Sequence, residues 1–133
     1  MSWRLSAVGV VLLAAFTGCR SVPEITGTYD LVAVNGARLP VRAGRMAQGS
    51  SELTGGSVAL NPDGTYRQRL LFRVQSQARA EYADSAVTVG TYERRMSTVR
   101  LHAPGGDMSA QLAGPLLTVS LGGWTYAFRK AGP

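Results

Sequence analysis

From residue 26 onward, apolar and polar positions alternate in short runs, and no stretch keeps a helical period across a window of about eleven residues. Gly, Pro, Asn and Asp interrupt the runs, which predicts strands joined by tight turns. The hairpins can be checked by asking whether opposed residues share a face. Gly122-Gly123 suits the positive φ of a primed two-residue turn. It sets Leu121 opposite Trp124, Val119 opposite Tyr126 and Leu117 opposite Phe128, while Thr118, Ser120, Thr125 and Arg129 fall on the other face. A slip of one residue would scramble that sorting.

Asn61-Pro62-Asp63-Gly64 fits a type I turn closed by a glycine bulge, pairing Leu60 with Tyr66 and Val58 with Gln68. The strand that follows turns Tyr66, Leu70, Phe72 and Val74 inward and Arg67, Arg69 and Arg73 outward. Arg94 to Ser97 reads as a looser turn in which Tyr92 meets Val99 and Gly90 meets Leu101, and Gly114-Pro115 pairs Leu112 with Leu117. With residues 26–34 as the first strand, the chain is an all-β, antiparallel up-and-down meander of about eight strands. Its apolar face has to be hidden, and a small barrel does that most economically.

Residues 35–55 depart from the pattern, with four glycines (Gly36, Gly44, Gly49, Gly55) and no clean strand. Structureless connections longer than about 15 residues are uncommon in compact domains and are often lids or binding loops. A long loop is expected here, with room for a short helix over residues 41–48. Its arginines, Arg38, Arg42 and Arg45, would make it a basic lid over the barrel mouth, or else it is plain surface.

The N-terminus follows a different rule. Met1-Ser2-Trp3-Arg4 is a short basic start, and residues 5–16 are an uncharged apolar run that ends in Thr17-Gly18-Cys19. This is the anatomy of a secretory signal, too short for a membrane span of about 20 residues. The Thr17-Gly18-Cys19 end resembles the lipobox of bacterial lipoproteins. That resemblance implies that Cys19 becomes the first mature residue and carries acyl chains such as palmitate. Residues 1–18 would then be the signal, 19–25 a lipidated tether and 26–130 the barrel. Cys19 is the lone cysteine, so no disulfide is available. Arg20-Ser21 lacks the aspartate that resembles an inner-membrane retention signal, which implies the outer membrane, facing the periplasm or the surface.

Composition narrows the partners. The net charge is +6, and Lys130 is the single lysine, so nearly all the positive charge is arginine. An exported basic domain does not meet nucleic acid; its anionic partners would be lipid phosphates, lipopolysaccharide or acidic polymers. Catalytic groupings are sparse. His102 is the sole histidine, and with a single cysteine far away in sequence it offers no metal-ligand spacing. No nucleophile elbow, phosphate-binding glycine motif or cofactor motif occurs. Glu81 and Asp84, separated by Tyr82-Ala83, read as an exposed bend rather than paired acids. A non-enzymatic protein without cofactor or metal is expected.

Gly-Thr-Tyr occurs three times, at Gly27-Thr28-Tyr29, Gly64-Thr65-Tyr66 and Gly90-Thr91-Tyr92. Together with Val34-Asn35-Gly36, Leu39-Pro40, Leu117-Thr118-Val119 and Tyr126-Ala127-Phe128-Arg129, these are similar to the small lipocalin-like domains of bacterial lipoproteins. Lipocalins carry Gly-x-Trp in the first strand beneath an arginine from near the last. Gly27-Thr28-Tyr29 and Arg129 stand in matching places, with Tyr for Trp. The resemblance implies a binding module or an envelope component. The expected ligand is small and apolar or amphipathic, held by Tyr66, Phe72, Trp124 and Tyr126, with Arg38, Arg42 and Arg45 at the mouth. The alternative is a filled barrel acting as a structural or protein-interaction module, which the bulk of the inward side chains favours.

Overall fold

The computed structural model describes residues 24–46, 49–77 and 79–132; the apolar N-terminal run and Cys19 lie outside them. The elements are β1 (Gly27–Val34), β2 (Ala37–Arg38), β3 (Val41–Met46), β4 (Gly49–Leu60), β5 (Thr65–Ser76), β6 (Arg79–Arg95), β7 (Thr98–Ala103), β8 (Gly106–Ala113), β9 (Leu116–Leu121) and β10 (Trp124–Lys130). They form one antiparallel sheet in the order β2-β1-β10-β9-β8-β7-β6-β5-β4-β3, closed by an extra pairing of β1 with β4. Eight strands thus make an up-and-down barrel, and β2 and β3 are additions to its wall.

The turns set most of the register. Gly122 and Gly123 both take positive φ (57° and 81°), and the hairpin pairs Leu121 with Trp124, Val119 with Tyr126 and Leu117 with Phe128. Leu60 opposes Tyr66, Val58 opposes Gln68, and Leu112 opposes Leu117, as the alternation requires. The turn between β6 and β7 differs from expectation. It is a two-residue turn, Met96-Ser97, with Met96 at φ 54°, so Tyr92 pairs with Leu101 and Arg94 with Val99. The facing is unchanged because the shift is two residues.

The described residues of 35–55 are not a loop and contain no helix. They form β2, β3 and the first part of β4, with β3 hydrogen-bonded to β4 from Val41 opposite Leu53 to Met46 opposite Gly49. Arg38 and Arg42 are exposed on these strands, and the Arg45 side chain lies outside the description. Glu81 and Asp84 likewise lie not on a bend but on a continuous strand, β6, which runs from Arg79. The physical reason is pairing. β5 is long and strongly alternating, and it hydrogen-bonds β4 on one side and β6 on the other along its whole length. Weakly patterned residues are carried along by that template.

The interior is filled in its closed part. Tyr29, Tyr66, Phe128, Leu60, Leu101, Leu117, Val34, Val58, Val99 and Val119 are all fully buried. A water-sized void beside them would leave accessible surface on its lining. At full burial each contributes about 1.5–3 kcal/mol. Leu70, Phe72 and Tyr126 are half-buried and pack onto this core toward the mouth, and Leu112 does so at the opposite end.

Candidate functional site

The two ends of the barrel differ in construction. One end gathers the start of β1, the Asn61–Gly64, Met96-Ser97 and Gly114-Pro115 turns and the end of β10. It is knitted by backbone bonds from Tyr92 N to Gly64 O (2.9 Å), Leu112 N to Ser97 O (2.7 Å), Lys130 N to Pro115 O (2.7 Å) and Ala131 N to Thr28 O (2.8 Å). The Tyr92 hydroxyl donates to Asn61 O at 2.7 Å across the same end. The chain enters here: Tyr29 donates its hydroxyl to Ile25 O at 2.7 Å, and Lys130 Nζ donates to Glu24 O at 2.8 Å.

The other end is the mouth, where β3 to β6 run on past the barrel as a ledge. β6 pairs with β5 from Arg79 to Thr91 but with β7 only from Thr91 to Arg95. Residues 83–89 therefore have no partner strand on their β7 side among the described residues. Val87 and Val89 on this stretch are 46% and 57% exposed, and Leu71 on β5 adds a third exposed apolar side chain to the outer face. In the register, Arg69 lies opposite Val87 and Arg67 opposite Val89, both arginines exposed. Arg73 bridges the ledge to Glu52 on β4 and Glu81 on β6, each at 3.2 Å. These groups are nearly half exposed, so each pair contributes under about 1 kcal/mol.

The aromatic residues expected to line a ligand pocket are divided by depth. Tyr66 is fully buried in the core, Phe72 and Tyr126 are half-buried near the mouth, and Trp124 is 37% exposed at the rim. Trp124 stacks on Tyr126 with ring centroids 6.5 Å apart and planes inclined by 22°. Phe72 and Tyr82 border a shallow depression of about 530 Å³ that also touches Thr54, Arg73, Glu81 and Ala83. The fold does not close Arg38 and Arg42 into a lid with these side chains; they ride on β2 and β3.

Two polar atoms stand out inside the barrel. The Tyr66 hydroxyl and Gln68 Oε1 are buried without a hydrogen-bond partner. Such groups cost about 1–3 kcal/mol each. Burial also pushes the Tyr66 phenol above its ordinary value. The alternation on β5 shows both residues inward; that neither finds a partner has no signature in sequence.

A second cluster lies outside the barrel. His102 Nδ1 is 2.9 Å from Asp107 Oδ1, and its Nε2 is 3.8 Å from Glu93 Oε2. The Asp107 hydrogen bond is the main cause that raises His102 above 6.5. Among the described residues no group of three His, Cys, Asp or Glu side chains is arranged to hold a metal. Nearby, Glu93, Arg95, Thr98 and Arg100 line an open groove of about 340 Å³ on the outer wall.

The first-strand motif is also resolved. Tyr29 occupies the buried position, but Lys130, not Arg129, is its register partner; Arg129 opposes Asp30 and faces solvent. Comparison with protein-family models, with curated proteins and with solved structures finds no match to this chain.

Proposed function

We propose that this chain is a non-enzymatic interaction module of the cell envelope, held to a membrane through acylated Cys19. Its filled barrel serves as a rigid mount for a free strand edge. The observation that carries this reading is the edge of β6 over residues 83–89, which has no partner strand on its β7 side among the described residues and lies beside Val87, Val89 and Leu71. A free edge is a template for strand addition, and native proteins usually blunt such edges with proline, bulges or lysine. Residues 85–89, Ser-Ala-Val-Thr-Val, carry none of these and no charge. An added extended segment with acidic side chains on alternate positions would lie within reach of Arg67 and Arg69.

The test is site-specific photo-crosslinking in cells from position 87, compared with position 118 on β9. A discrete adduct from position 87, lost when Val89→Pro blocks the edge, supports the reading. No adduct, or the same adduct from both positions, overturns it.

A second reading is favoured by the Tyr66 hydroxyl and Gln68 Oε1. These would receive the polar head of a small amphipathic ligand whose tail passes Phe72 and Tyr126. That requires the mouth to open, because both polar atoms are sealed. Saturable change of Trp124 emission with fatty acids would favour this reading, and indifference would favour the interaction module.

A further inference from the structure

The path of the entering chain fixes which end of the barrel is near Cys19. Glu24 is held at the knitted end by Lys130 Nζ, and Ile25 by the Tyr29 hydroxyl. Glu24 is five positions after Cys19, and five fully extended steps reach about 17 Å. An acyl group on Cys19 therefore keeps this end close to the bilayer surface.

The same end carries a side-chain arrangement that the proposed partner edge does not use. Met96 tips the β6–β7 turn and is 89% exposed, the highest value among the exposed large apolar side chains. Arg94 and Arg95 immediately precede it. Arg95, Thr98 and Arg100 line the 340 Å³ groove behind it, with Glu93 as the only acid there among the described residues. Arg100 lies opposite Glu93 in the strand register, yet the nearest basic partner of that carboxylate is His102, at 3.8 Å. Arg95 and Arg100 make no ion pair among the described residues. Two carboxylates at this end are each held by a threonine hydroxyl of their own turn, Glu24 by Thr26 at 2.5 Å and Asp63 by Thr65 at 2.6 Å.

We infer that the β6–β7 hairpin end is a membrane-docking surface for anionic phospholipid. Arg95 and Arg100 take the headgroup phosphate in the groove, and Met96 enters the interface beside it. Guanidinium groups match phosphate oxygens in a paired fork geometry, and an exposed thioether next to basic residues suits the boundary between headgroups and acyl chains. The inference rests on the reading of Cys19 as the lipid anchor. Its consequence is an orientation in which the mouth and the free β6 edge point away from the bilayer.

The experiment uses the full-length protein, expressed and processed in a bacterial host, then placed in vesicles containing brominated phosphatidylglycerol or brominated phosphatidylcholine. In a Trp124→Phe background, Met96→Trp should be quenched at least twofold in the anionic vesicles and much less in the zwitterionic ones. Trp124 in the parent, at the opposite end, should be quenched in neither. Arg95→Ser with Arg100→Ser should abolish the difference between the two lipids while leaving the protein in the membrane fraction. Equal or absent quenching at position 96 in a membrane-bound protein overturns the docking surface alone. Loss of the anchor reading is seen separately, as a Cys19→Ala variant that still fractionates with membranes in mature form.

Discussion

Lys130 Nζ stands 6.0 Å from the centroid of the Tyr29 ring, on the strand that pairs with it, while donating a hydrogen bond to Glu24 O. The ring is buried and its hydroxyl is tied to Ile25 O, so most of its energy comes from burial. The ammonium, at the outer limit of a cation–π contact, adds under about 1 kcal/mol. Tyr29→Ala should cost about 3–5 kcal/mol and Lys130→Ala no more than about 1 kcal/mol. Urea midpoints of the two variants decide the point; equal losses would mean that the cation, not the packed ring, closes this end.

Gly90 should be intolerant of any side chain. A Cβ placed there would overlap the His102 carbonyl and lie 2.8 Å from Cε1 of Tyr66. The first is backbone and the second is an immobile core ring, so neither can give way at low cost. Gly90→Ala should destabilise by about 1–3 kcal/mol, as overpacking does. Gly105→Ala, with nothing near its Cβ, should leave the thermal midpoint almost unchanged.

The orphan polar atoms make a prediction of opposite sign. Gln68→Met keeps the length of the side chain and removes a buried amide with an unpaired oxygen. Stability should rise by about 1 kcal/mol, because the desolvation cost disappears. A loss of that size in equilibrium denaturation would show that Gln68 has a partner inside the barrel, such as an ordered water.

His102 gives the pH dependence. Its folded value is raised by Asp107 first and by Glu93. The protonated ring therefore favours the fold. That contribution is complete below the ordinary value of 6.5 and is lost as pH rises through the raised folded value. An NMR titration of the imidazole should place its midpoint above 6.5, and Asp107→Asn should move it back down. A titration at or below 6.5 in the parent would remove Asp107 as a partner.

The hairpins were legible where turn chemistry and alternation agreed. Gly122-Gly123 and Asn61-Pro62-Asp63-Gly64 each fix a register that the inward row of residues confirms. The β6–β7 turn was misplaced because Met96 takes a positive φ that no side-chain type announces. β3 and the start of β4 were hidden because Gly44, Gly49, Ser50 and Ser51 have no alternation of their own and become strands by pairing. Arg129 looked like the cation over the first-strand aromatic, yet the bulge between Leu31 and Ala33 and the register before it leave that place to Lys130. The ledge and its free edge depend on β6 outrunning β7, a difference in strand length that hydrophobic pattern does not encode.

β1 is gripped on both flanks, by β10 and by β4, and it is the first strand of the described residues. A pull on Glu24 runs along the axis of β1, so the hydrogen bonds to both neighbours bear load together instead of opening one after another. The terminal β2, held by two residue pairs, and β3, held along one side, would peel under far smaller force. A domain held by its N-terminus while a partner tugs at β6 would thus be loaded in shear along β1, and its lifetime under tension would be set by the rate at which both seams of that strand slip together.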